Sequence, residues 1–196
     1  MLQRKIDKSL LEWKNQPKKK CLVVDGARQV GKTFAIQQFG KNYYDELFYI
    51  NFKETPSAKD IFSGDLDVDT LVFNFKLQNI NAKLIEGKTL IFLDEIQECE
   101  EAITSLKFFS IDGRFDVIAS GSMLGIDYKR ASSYPVGYVD NIKMYGLDFE
   151  EFLWSQGIDD LVIAKVKEYF DNKKAVPEAI HNKFMSMFRL YIAIGG

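Results

Sequence analysis

Cys21-Leu22-Val23-Val24 is a short apolar run with strand character that ends at Asp25, and Gly26-Ala27-Arg28-Gln29-Val30-Gly31-Lys32-Thr33 follows directly. The eight residues satisfy G-x-x-x-x-G-K-[ST] in full, and residues 33–39 read as a helix closed by Gly40. Strand, glycine loop and helix thus stand in the order that a phosphate-binding loop needs. Its glycines let backbone N–H groups turn inward as an anion nest, and the positive end of the helix points at the same place. A chance occurrence of the four fixed positions in a chain of this length has odds on the order of one in a hundred. The flanking strand and helix lower those odds, so an ordinary glycine turn is the weaker reading. Gly26 through Thr33 are therefore the expected nucleotide-binding residues, with Lys32 on the β- and γ-phosphates and the Thr33 hydroxyl on Mg²⁺.

Further apolar runs at residues 47–52, 89–93, 115–119 and 138–145 have strand character. Helical patterns at 69–80 and 97–108 lie between them, and a short amphipathic pattern at 6–13 precedes them all. Short buried strands alternating with helices imply a mainly parallel sheet covered on both faces. The expected fold class is α/β, a three-layer α/β/α sandwich around five strands, followed by helices at 150–155, 161–170 and 177–194. The division expected from this change of texture is a nucleotide-binding core over 1–155 and a helical segment over 156–196.

Thr89-Leu90-Ile91-Phe92-Leu93-Asp94-Glu95 delivers two carboxylates at the end of a strand, where open α/β sheets place their ligands. An acidic pair in that position also serves as a helix N-terminal feature. Beside a phosphate-binding loop the functional reading prevails: Asp94 on the metal shell opposite Thr33, Glu95 accepting a proton from water or orienting it. Residues 115–119 lead into Ser120-Gly121-Ser122, which places a hydroxyl near the γ-phosphate or serves plain turn chemistry. Arg28 and Arg130 are the cations available to transition-state charge, and spacing assigns neither. His181, the single histidine, reads as incidental.

The 196 residues carry 46% hydrophobic and 28% charged side chains with a formal net charge of -2, the texture of an ordinary globular chain. That balance supplies no basic field for a polyanion, so nucleic-acid binding is not indicated. Lys18-Lys19-Lys20 reads as a solvated edge before a buried strand. Cys21 and Cys99 have no metal-ligand spacing and read as reduced small hydrophobes, which fits the cytoplasm. No run approaches a membrane span.

These residues together resemble a large family of prokaryotic AAA-type ATPases, whose ATPase core is followed by a C-terminal domain of unknown, nuclease-like function. The resemblance covers most of the chain. It rests on Gly26 to Thr33, Tyr49-Ile50-Asn51-Phe52, Phe92-Leu93-Asp94-Glu95-Ile96-Gln97, Ala119-Ser120-Gly121-Ser122 and Leu147-Asp148-Phe149-Glu150-Glu151-Phe152-Leu153. It implies ATP and Mg²⁺ as ligands, a sensing role for Ser120, and a homo-oligomer or the chain's own C-terminal domain as the part that completes the site. It also implies that Tyr191-Ile192-Ala193-Ile194-Gly195-Gly196 opens a Gly-Gly-Met-Pro segment, so that the chain is truncated and residues 156–196 begin a lid or C-terminal domain. An apolar face of Phe184, Met187, Phe188, Tyr191 and Ile194 with little sequence left to cover it agrees. The expected function is Mg-dependent ATP hydrolysis coupled to conformational change. The alternatives are a nucleotide-dependent switch with negligible hydrolysis and a P-loop small-molecule kinase. An Asn-Lys-x-Asp run for GTP and a Leu-Ser-Gly-Gly-Gln transporter signature are both absent.

Overall fold

The computed structural model describes residues 2–122 and 134–194. Packing divides the chain into two compact units, one of Ser9–Met144 and one of Met1–Lys8 with Tyr145–Gly196.

The larger unit is built on five parallel strands: β1 Cys21–Gly26, β2 Glu46–Asn51, β3 Thr89–Asp94, β4 Asp116–Gly121 and β5 Val139–Met144. Their order is β2-β3-β4-β1-β5, and every adjacent pair is parallel. All six residues of β3 and of β4 are buried, so their centres, Leu90 to Leu93 and Val117 to Ala119, read as continuous apolar runs rather than as alternating ones. Helix α1 (Lys5–Lys14) precedes the sheet, and α2 (Lys32–Tyr43), α3 (Val68–Gln78) and α4 (Glu100–Asp112) connect its strands.

Alternation along each strand sorts the side chains into two layers. Cys21, Val23, Phe48, Ile50, Ile91, Leu93, Val117 and Ala119 enter one core with Leu71 and Phe75 of α3 and Leu106 and Phe109 of α4. Aromatic rings tie that layer together, Phe48 against Phe75 at 4.7 Å and Phe62 against Phe75 at 5.8 Å between centroids. Helix α2 crosses the opposite face over β2, β3 and β4. This is the three-layer α/β/α arrangement expected.

Two boundaries differ from the expectation. Helix α2 runs through Gly40 to Tyr43, because Gly40 faces the sheet: a Cβ there would stand 2.8 Å from Leu47 Cδ1 and 3.2 Å from Leu90 Cδ2. The glycine serves close helix-on-strand packing rather than termination. The helix expected from residue 97 begins at Glu100, after a 3-10 turn over Ile96–Glu98 and an extended Cys99.

In the smaller unit, α5 (Phe149–Ser155) starts with a capping box: Asp148 accepts from the Glu151 N–H at 2.9 Å, and Glu151 accepts from the Asp148 N–H at 3.1 Å. Helices α6 (Asp160–Asp171) and α7 (Glu178–Ile194) follow. The apolar face of α7 is covered in part. Phe149 of α5 packs on Phe188 and Tyr191, Phe152 packs on Tyr191, and Met187 is buried, while Ile194 stays exposed. The long loop expected over 122–137 falls mostly outside the described residues. No helix among the described residues is long and apolar enough to cross a membrane.

Candidate functional site

Parallel pairing carries the ends of β1, β2, β3 and β4 to one edge of the sheet. Asn51 lies opposite Asp94, and Asp25 opposite Gly121, in the strand register. The glycine loop leaves β1 at that edge. Gln29 and Gly31 take left-handed conformations, with φ of 64° and 94°, and Gly31 is the N-cap of α2. No side chain caps the helix, so its first N–H groups remain available to an anion.

Lys32 is buried and donates to the carbonyls of Gly26 at 2.9 Å and Ala27 at 2.7 Å. Its ammonium is thus held under the loop, next to the N-terminus of α2. Arg28 is exposed.

Asp94 ends β3 only 2% exposed. A carboxylate so far from water is costly unless its oxygens are bonded. Here they are saturated. Oδ2 accepts from the Thr33 hydroxyl at 2.7 Å, the Tyr49 hydroxyl at 3.2 Å and, more weakly, the Asn51 amide at 3.4 Å. Oδ1 accepts from the Ser120 hydroxyl and from the Glu95 N–H at 3.0 Å. The Asn51 amide cannot turn over freely, since its Oδ1 accepts from the Lys53 and Glu54 N–H groups. Burial, aided by Asp94 and Glu54, pushes the Tyr49 hydroxyl up to about 12, so it stays protonated and donates throughout the ordinary pH range.

A hydroxyl and a carboxylate in direct contact form the hard oxygen donor set that a magnesium ion takes, and Thr33 and Asp94 supply it from two elements. Glu95 follows in a left-handed conformation, φ 52° and ψ 44°, and its Oε2 accepts from Gln97 Nε2 at 2.6 Å.

Of the residues singled out in the sequence, Lys32, Thr33, Asp94, Glu95 and Ser120 gather at this one edge. Ser120 is fully buried with its hydroxyl committed to Asp94. Ser122 is half-buried just after β4, His181 is exposed on α7, and Arg130 lies outside the described residues. Tyr49, Asn51 and Gln97 had no role assigned from sequence. The available signal was their place: Tyr49 and Asn51 alternate on the last residues of a strand, and Gln97 sits two residues beyond the acidic pair.

The sequence profile of the AAA domain family matches residues 18–153, which span the sheet and every residue of this edge. The chain belongs to the AAA domain family. No curated protein matches its sequence. Among solved structures this AAA chain is similar to the Drosophila ORC bound to DNA, with a TM-score of 0.53 and 13% identity over 96% of this chain and 56% of that one. It is also similar to the ORC1 protein of Aeropyrum pernix in complex with DNA, with a TM-score of 0.47 and 11% identity over 98% and 60% of the two chains. PCH-2 of C. elegans gives a TM-score of 0.39 and 12% identity over 81% and 42%. The AAA chain therefore spans little more than half the length of the first two. At these identities the likeness to Drosophila ORC concerns the fold.

Proposed function

We propose that this AAA domain binds ATP with Mg²⁺ at the loop of Gly26, Ala27, Arg28, Gln29, Val30, Gly31, Lys32 and Thr33 and hydrolyses it. The observation that carries the reading is the Thr33 to Asp94 contact of 2.7 Å beside the buried Lys32, with Glu95 next in the chain. Magnesium, when bound, neutralises phosphate charge and fixes the phosphate oxygens.

The chain's own residues do the rest. Loop N–H groups and the start of α2 receive the phosphates, and Lys32 exchanges its two carbonyl partners for β- and γ-phosphate oxygens. Thr33 and Asp94 would hold the magnesium ion's shell, with the Asp94 carboxylate kept in place by Ser120, Tyr49 and Asn51. Glu95 accepts a proton from the water whose oxygen bonds to the γ-phosphorus as the bond to the leaving β-phosphate oxygen breaks. A carboxylate directly after the metal-binding Asp favours water over a bound hydroxyl as acceptor, which sets this reading above a kinase. The compartment we propose is the cytoplasm, in keeping with two buried free thiols, Cys21 and Cys99. Residues 156–196 are proposed to belong to a lid or second domain, and hydrolysis to drive a conformational change.

The test is calorimetric titration of MgATP with an acceptor-free phosphate-release assay alongside. Lys32→Ala removes the cation that neutralises the phosphates, so binding is expected to vanish. ATP affinity equal to wild type would refute the site.

A further inference from the structure

We infer that Gln97 is a positioning residue that holds the Glu95 carboxylate in place to take the proton of the attacking water, an inference that rests on the hydrolysis reading above. Glu95 has a left-handed backbone, which a non-glycine residue keeps only where its surroundings impose it. Two bonds do so. Its carbonyl accepts from the Glu98 N–H at 3.0 Å, closing the 3-10 turn, and its Oε2 accepts from Gln97 Nε2 at 2.6 Å.

The other end of the Gln97 amide shows that this placement is specific. Its Oε1 is buried without a hydrogen-bond partner, so the amide gains nothing there. That oxygen fills the space beside Gly121: a Cβ on residue 121 would stand 2.2 Å from it. The amide is thus wedged between the tip of β4 and Glu95, one residue from the Ser120 that holds Asp94. Turning the amide over would set Oε1 against a carboxylate, which its charge forbids. Gly121 supplies the room, Gln97 supplies the donor, and Glu95 is the group being aimed.

The experiment uses the full 196-residue chain. Gln97→Glu keeps the shape and replaces the donor with an acceptor. We expect MgATP affinity unchanged by calorimetry and kcat lower by on the order of 10²-fold, the scale of a misplaced catalytic group. Gly121→Ala drives Oε1 from its place and should lower kcat in the same way. Gln97→Ala frees that space, so adding Gly121→Ala to it should cost no further rate. Without nucleotide, the Gln97 side-chain amide proton resonances should move when Glu95 is changed to Ala, a readout independent of turnover. A wild-type kcat in Gln97→Glu, a double variant slowed by the product of the single effects, or unmoved amide resonances would overturn the inference. If Glu95→Gln itself turns over at the wild-type rate, the hydrolysis reading fails and this one with it. If Glu95→Gln is slow while Gln97→Glu is not, only the role of Gln97 falls.

Discussion

Asp94 concentrates the physical difficulty of this molecule, because a carboxylate 2% exposed must find its solvation inside the protein. The Thr33, Tyr49, Asn51 and Ser120 side chains provide it. A hydrogen bond to an ionised partner contributes about 1.5 to 3 kcal/mol, and Ser120 reaches Asp94 entirely within the core. Ser120→Ala is therefore expected to lower the unfolding free energy of the nucleotide-free chain by that amount in urea titration. A midpoint equal to wild type would show that Ser120 does not support an ionised Asp94. The place of Asp94 at the end of β3 was legible in the sequence because a buried apolar strand runs directly into it. Tyr49 and Asn51 were not, since their role depends on which strand becomes the neighbour of β3, and chain order does not state that.

Elements were legible where burial on both faces produced a continuous apolar centre, as in β3 and β4. They were less so where one residue type serves two purposes. Gly40 carries the mark of a helix stop and instead admits Leu47 and Leu90 against α2. The start of α4 was blurred because the left-handed Glu95 and extended Cys99 interrupt an otherwise helical pattern. In the smaller unit the change of texture suggested a boundary after residue 155, and the compact units divide after Met144. Helix α5 depends on its cap. Burial raises the Asp148 pKa, but the Glu151 N–H and Lys5 overcome it and hold the carboxyl below the usual aspartate value. A lowered folded-state value means that the contribution is complete above the ordinary pKa and is lost as pH falls through the folded one. Asp148→Ala should then cost about 1 kcal/mol near neutrality, and the gap from wild type should close only below about pH 4. A gap that persists undiminished in acid would remove the charge from the cap.

At the scale of the whole molecule, the glycine loop, Asp94 and Glu95 make up the proposed nucleotide site, and of the candidate arginines only Arg28, within the loop itself, falls among the described residues. Arg28 is exposed, and Arg130 lies outside the described residues. An arginine brought to the transferred phosphoryl from another domain or a partner contributes about 10³ to 10⁵ in rate in P-loop enzymes, and a neighbouring copy is the partner proposed here. The turnover per site should accordingly be slow in dilute solution and rise with protein concentration as copies assemble. A rate per site that stays flat from monomer to oligomer would mean that the chain alone completes its chemistry. The most direct test of hydrolysis at this edge is single-turnover phosphate release from MgATP, with protein in excess, comparing wild type with Glu95→Gln. We predict bound nucleotide in both and a rate lower by roughly 10² to 10⁴ in the variant, the span for losing a positioned base; equal rates would contradict the assignment of Glu95 and with it the proposed mechanism.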